Sequence, residues 1–214
     1  YPTVCAIHEG RFCMGASSDY PRDIDMTRSG GFSPTSVSFH PTTVKDEVED
    51  DLGISVTIGG GDGSPIQWID TVRNGLAVGT TSREGIISSS TEGQAITPEN
   101  ASYKLHSTVG SASIQPVAVN NALLHVQRVR RRLYAFGYSL DSDGYTSIDM
   151  TELSEHLTRS GIIDVAYQQE PINTLWCVLT NGTLLGFTYD RNADVLGWHH
   201  HTLGGSDVEV EGVS

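Results

Sequence analysis

Apolar and polar residues alternate with a period of two along most of this chain. Ile54-Ser-Val-Thr-Ile58 alternates strictly, and Leu184-Leu-Gly-Phe-Thr-Tyr189 does so with one interruption. Period two belongs to a strand with one buried face, so these segments predict β-strands. Val117–Val119 and Ala122–Val126 flank Asn120-Asn121, while Leu175–Leu179 and Thr183–Phe187 flank Asn181-Gly182. Asn and Gly tolerate the positive φ of a two-residue turn, so both pairs predict β-hairpins. Leu133–Tyr138 is rich in strand-forming aromatics. One short helix is expected in a loop. Asp149 is its N-cap, Glu152 completes a capping box, Leu153 and Leu157 stand at i and i+4, and Gly161 stops it.

The strand–turn–strand unit repeats. Copies start at positions 4, 66, 114, 162 and 208, with spacings of 62, 48, 48 and 46. About 40–50 residues per four-stranded unit is the period of a β-propeller blade. The chain therefore reads as all-β: β-propeller-like repeats of four-stranded antiparallel blades, forming a partial or imperfect propeller. The expected organisation is a single all-β repeat domain over 1–214, with blade-like units near 4–65, 66–113, 114–161 and 162–207. An acidic insertion around Asp46–Asp51 accounts for the long first interval. A two-sheet sandwich of similar strand count is the alternative. Tyr1-Pro-Thr leads straight into a strand pattern, and alternation is still running at Val213. Both ends suggest a fragment of a longer polypeptide.

Charge narrows the partners. Asp and Glu number 26 against 13 Lys and Arg, a formal charge of −13. Tight binding to nucleic-acid phosphate draws on Lys and Arg, so this balance argues against it. No apolar run approaches the ~18 residues of a membrane helix. The three cysteines, Cys5, Cys13 and Cys177, are no disulfide framework. A two-residue turn at Glu9-Gly10 would put Cys5 and Cys13 on opposite faces of a hairpin. A three-residue turn would set them opposite each other.

Few motifs suggest chemistry. In His199-His200-His201 alternation lets only His199 and His201 share a metal, with no carboxylate or thiol at useful spacing. The tract reads as a strand with partly exposed histidines. Asp141-Ser-Asp-Gly144 fails as a calcium loop, because Ser139 and Met150 would occupy the first and last ligand positions. Gly59–Gly63 lacks the Lys-Ser/Thr of a phosphate loop and precedes a strand rather than a helix. No catalytic residue, metal or cofactor is expected. Arg128, Arg130, Arg131 and Arg132 make a basic turn between two strand patterns. With the acidic run Asp46, Glu47, Glu49, Asp50 and Asp51, they are the candidate contacts to a subunit or partner. Their opposite charges suit them to face one another across a ring interface.

The order of these motifs resembles the tail tubular, or nozzle-type, proteins of short-tailed bacteriophages. Ile114–Arg128, Arg131-Arg-Leu133, Asp143-Gly-Tyr145 and Leu153–Thr158 carry the resemblance. So do Ala166–Pro171 with Trp176, Asn181–Asp190 and Val195–Thr202. Val4–Gly15 and Arg28–Phe32 match more loosely. The sequence departs from the family where Phe12-Cys-Met14 follows Arg11, and again over 33–65. The resemblance implies a structural component of a phage or prophage tail, without enzymatic activity, in the virion tail and made in the bacterial host cytoplasm. Its implied partners are further copies of itself in a ring, portal, adaptor or other tail proteins, and DNA passing through without tight binding. An acidic wall suits such a conduit, because it repels phosphate over about a Debye length, ~8–10 Å. The rivals are a carbohydrate- or protein-binding propeller, with Trp68, Trp176 and Trp198 as candidate platforms, and a propeller hydrolase using axial carboxylates.

Overall fold

The computed structural model describes residues 1–30, 32–33, 36–37, 48–59, 63–91, 93–190, 195–204 and 209–214. The chain divides into two compact units, Tyr1–Ser111 and Ala112–Ser214. The first unit opens with β1 (Val4–His8), β2 (Arg11–Gly15) and β3 (Asp23–Met26). The two-residue strands β4 (Phe32–Ser33) and β5 (Ser36–Val37) pair with each other, and β6 (Ile54–Thr57) then returns to the edge of β3. A second sheet follows from β7 (Ile66–Val72), β8 (Gly75–Thr80), β9 (Glu84–Ser89) and β10 (Ala101–Ser107). The second unit contains β11 (Val117–Val119), β12 (Ala122–Val126), β13 (Leu133–Ser139) and β14 (Gly144–Asp149) as one sheet. Its other sheet is β15 (Ile162–Gln168), β16 (Thr174–Leu179), β17 (Leu184–Asp190) and β18 (Val195–His201). The four large sheets are antiparallel meanders that follow chain order, the connectivity of propeller blades. The fold is all-β and propeller-like.

Each unit has its own apolar core. In the first, Cys13, Ile24, Met26 and Ile54 of one sheet pack with Ile69, Leu76, Val78 and Ile87 of the next. There Thr71 Oγ1 of β7 donates to Ile7 O of β1 at 2.9 Å, tying the leading strands of the two sheets. In the second, Leu124, Val126, Leu133 and Ala135 pack with Leu175, Cys177, Leu185 and Phe187. Burying each Leu, Ile, Val or Phe stabilises by roughly 1.5–3 kcal/mol, and inward-facing alternation delivers these residues in rows.

Turn chemistry sets the registers. Glu9 and Gly10 have φ of 47° and 70°, both positive, the signature of a two-residue type I′ turn. Cys5 therefore pairs with Met14, and Ala6 with Cys13. Cys5 is exposed, Cys13 is buried, and neither forms a disulfide. Asn120, at φ 55°, and Gly182, at φ 74°, occupy the expected hairpin turns.

The helix expected from Asp149 is absent. Residues 150–160 form successive turns, closed by Ser154 N to Thr151 O, Leu157 N to Ser154 O and Gly161 N to Thr158 O at 2.8, 3.0 and 3.0 Å. Each bond spans three residues rather than four. Asp149 does cap the segment, because its Oδ1 accepts from Thr151 N and Oγ1 at 2.8 and 2.6 Å. A helix this short needs an apolar face to hold it. Met150 and Leu157 pack on the core, but Leu153, which a helix would set beside Leu157, is 95% exposed. Three-residue spacing leaves Glu155 and Thr158 free to bind the neighbouring turn instead.

Candidate interaction surfaces

The basic turn joins β12 to β13 in the second unit. Gln127 N donates to Arg132 O at 2.9 Å and Arg130 N to Gln127 O at 2.7 Å. Arg130 takes the left-handed φ of 64° that closes the turn. Its carbonyls are also used: Ile162 N donates to Arg130 O at 2.7 Å, and Thr158 Oγ1 to Arg131 O at 2.6 Å. Arg132 turns back along the sheet to Asp149 Oδ2 at 2.7 Å and to Glu155. The remaining guanidiniums, on Arg128, Arg130 and Arg131, are on exposed residues around Val129, which is itself 59% exposed. The backbone is thus braced by its own two hydrogen bonds and from outside by Ile162 and Thr158, and three cations and one apolar side chain are presented to solvent.

The acidic loop belongs to the first unit. Asp46 and Glu47 lie outside the described residues. Glu49 and Asp50 are exposed and Asp51 is half-buried. What holds the loop is Arg11, which the sequence reading met only as part of a family resemblance. Arg11 is 3% exposed. Its guanidinium donates to Thr27 O at 2.8 Å, Leu52 O at 2.6 Å and Asp50 O at 2.7 Å. Ser29 N donates to Asp51 O at 2.8 Å, and Arg28 pairs with the Asp51 carboxylate. Asp50 and Asp51 then line an open cleft of about 710 Å³ with Glu9, Glu99, Gln94 and Asn100. Ile96 N fixes the Glu9 carboxylate at 2.8 Å. The candidate acids Asp50 and Asp51 are thus joined by two carboxylates, Glu9 and Glu99, that lie far from them in sequence.

Other expected features resolve differently. Trp68 is fully buried, and Trp198 stacks on Phe187 with ring centroids 4.7 Å apart while donating to Met150 O at 2.8 Å. Trp68 is therefore closed to a ligand, whereas Trp198 is half-buried with one ring face covered by Phe187. Trp176 is half-buried, and its indole N–H donates to Gln168 Oε1 at 2.8 Å. Asp141–Gly144 is a tight turn, with Asp143 at φ 45° accepting from the Tyr138 hydroxyl at 2.5 Å.

Two buried titratable groups were not visible to sequence reasoning. Glu84 is fully buried and accepts from Ser111 Oγ at 2.9 Å. Burial raises its pKa, against the opposing pull of Ser107, Ser111 and the backbone amides of Val109 and Gly110. His125 is fully buried against the Tyr134 ring, and burial pushes its pKa down to about 3. Both sit in apolar strand patterns, where nothing local marks them.

No family model matches this chain, and no curated protein matches it. A solved structure of a protein from Lactobacillus plantarum superposes with a TM-score of 0.56 at 10% identity, covering 96% of this chain and 57% of that one. A protein of unknown function from Bacteroides caccae gives a TM-score of 0.47 at 8% identity, covering 89% of this chain and 58% of that one. The chain thus spans less than two thirds of the length of either. At such identity the first likeness speaks to fold alone: the chain shares its all-β architecture with the Lactobacillus plantarum protein.

Proposed function

We propose that this chain is a structural component of a phage or prophage tail, part of a ring or nozzle through which the genome passes. One observation carries the assembly part of this reading. A braced turn presents Arg128, Arg130 and Arg131 around exposed Val129, and a braced loop carries exposed Glu49 and places Asp50 and Asp51 beside Glu9 and Glu99. Cations around an apolar residue are common at protein interfaces, and Arg is prominent among the residues that dominate their energetics. Two different surfaces of opposite sign suit a head-to-tail contact between copies, the kind that closes into a ring when the rotation allows. The order of motifs over 114–202 supplies the link to tail proteins. A net charge of −13 suits a wall past which DNA must slide. In this reading the chain performs no chemistry, its neighbours are copies of itself and portal, adaptor or other tail proteins, and its place is the virion tail.

The test is sedimentation velocity over a wide concentration range, at low salt and at ~0.5 M salt, where surface charge is screened. The reading expects an assembly that grows with concentration, weakens with salt and is lost when Arg128, Arg130 and Arg131 are all changed to Glu. A salt-independent monomer at every concentration overturns it. A carbohydrate-binding module has one feature in its favour, the half-open indole of Trp176. Glycan-array binding abolished by Trp176→Ala would establish that rival.

A further inference from the structure

We propose that His199 and His201 form a chelating site for a divalent transition metal, with Cu²⁺ preferred, on the face of the last sheet that carries Trp176. This inference is independent of the tail reading. Alternation along β18 puts both imidazoles on one face, and the structure makes them converge: His199 Nδ1 lies 2.6 Å from His201 Nε2. Two imidazole nitrogens facing each other at this distance share one proton when no ion is bound. A metal bound there releases that proton to solvent, and each ring turns its lone pair from its partner toward the ion.

The surroundings suit this exchange. The register places Gly186 beside His199 on one side and beside Trp176 on the other. A Cβ on Gly186 would come within 2.0 Å of the His199 ring, so the missing side chain is what lets the imidazole lie flat across β17. Thr188 Oγ1 stands 3.1 Å from His199 Nε2. Accepting the Nε2 proton there leaves Nδ1 bare, the tautomer a ligand needs, and such outer-shell hydrogen bonds commonly orient metal-binding histidines. The Trp176 ring packs edge-on against His201 at 4.6 Å between centroids and forms a wall. Its N–H is already committed to Gln168, so it does not compete for the imidazole lone pairs. Both histidines are half-buried, which leaves an approach for the ion and for the waters that complete its shell.

Geometry also ranks the metals. At metal–nitrogen distances near ~2.0 Å, a square-planar or octahedral 90° angle sets two ligand nitrogens about 2.8 Å apart, and a tetrahedral angle about 3.3 Å apart. The observed 2.6 Å needs little opening for the first arrangement and more for the second. Cu²⁺ favours tetragonal sites and stands highest in the general affinity order, so it should bind ahead of Ni²⁺ and Zn²⁺.

The experiment is titration of the protein with Cu²⁺, read by electron paramagnetic resonance and by competition with glycine. Wild type should take up one Cu²⁺ whose signal shows two coordinated nitrogens. His199→Ala and His201→Ala should each weaken that site ~100-fold, since loss of even an outer-shell partner costs 10–100-fold. His200→Ala, on the opposite face, should leave it within about twofold, inside ordinary variation for a surface change. Gly186→Ala keeps both ligands but displaces the His199 ring, and should weaken binding with the far-ultraviolet circular dichroism unchanged. The proposal fails if no two-nitrogen signal forms. It also fails if His200→Ala weakens binding as much as its neighbours do, because that marks a loose histidine tract rather than a built pair.

Discussion

The two units treat the arginines at their hairpin turns in opposite ways on similar scaffolds. Each is a pair of four-stranded meanders around a shared apolar core. In the first unit an arginine beside a hairpin turn points inward, and Arg11 reaches three backbone carbonyls. In the second unit, Arg128, Arg130 and Arg131 at a hairpin turn point outward: β15 and the 150–161 segment bind the carbonyls of Arg130 and Arg131, and it is the neighbouring Arg132 guanidinium that is drawn back, to Asp149 and Glu155. The first unit also buries a carboxyl, Glu84, among hydroxyl and amide donors, while the second buries His125 as a neutral ring against Tyr134. The lesson is that a charged side chain goes inside only where backbone groups already converge on it. In the first unit such side chains help to specify the structure. In the second they remain available for contacts.

The sharpest way to break this contrast is to remove the inward arginine. Arg11→Met should leave three carbonyls around the acidic loop without their donor. With charged hydrogen bonds contributing roughly 1.5–3 kcal/mol each and not fully additive, the loss should be about 4 kcal/mol in urea unfolding. It should also loosen the loop carrying Glu49 to Asp51. Arg130→Ala, its outward counterpart, should change stability by less than ~0.5 kcal/mol.

The second effect is a pH dependence. His125 has its folded pKa lowered to about 3 from an ordinary 6.5. Below pH 6.5 the unfolded chain takes up a proton that the folded chain refuses. The stability is therefore complete above that pH and is lost progressively as pH falls toward about 3. Comparing wild type with His125→Phe, the difference between pH 7 and pH 4.5 should reach about 2–3 kcal/mol, read as a shift in urea midpoint. Glu84 runs the other way. Its raised pKa makes it destabilising as pH climbs through that value, so Glu84→Gln should gain stability relative to wild type at neutral pH.

Gly79 and Gly186 sharpen the comparison at smaller scale. Both lie beneath an aromatic ring on a neighbouring strand, with added Cβ atoms falling 2.1 Å from Trp68 and 2.0 Å from His199. Trp68 is fully buried and cannot swing away, so Gly79→Ala should cost about 1–3 kcal/mol in overpacking. His199 is half-buried and can move. Gly186→Ala should therefore cost less than ~0.5 kcal/mol, with thermal unfolding distinguishing the two.

These contrasts show what local sequence can carry. The strands and hairpins were legible because period-two alternation and Asn-Gly chemistry act over a few residues, as at Asn181-Gly182. The alternation also assigned His199 and His201 to one face. The failed helix shows the limit of such reasoning. Asp149 caps as expected, but Leu153 finds no core to cover it, and burial is not written in the cap. Arg11 was illegible as a structural anchor because its carbonyls come from residues 16 to 41 positions away. Glu9 and Glu99 escaped notice for the same reason, since chain crossings bring them to the Asp50–Asp51 cleft.

The central claim is that the outward arginines of one copy meet the acidic loop of the next. A charge-swap mixing experiment by sedimentation velocity tests it most directly. One variant reverses Arg128, Arg130 and Arg131 to Glu, and the other reverses Glu49, Asp50 and Asp51 to Arg. Each alone should fail to assemble, and the two mixed should pair through the restored complement of reversed surfaces. Normal assembly by either variant alone, or two variants that stay separate when mixed, would contradict the account.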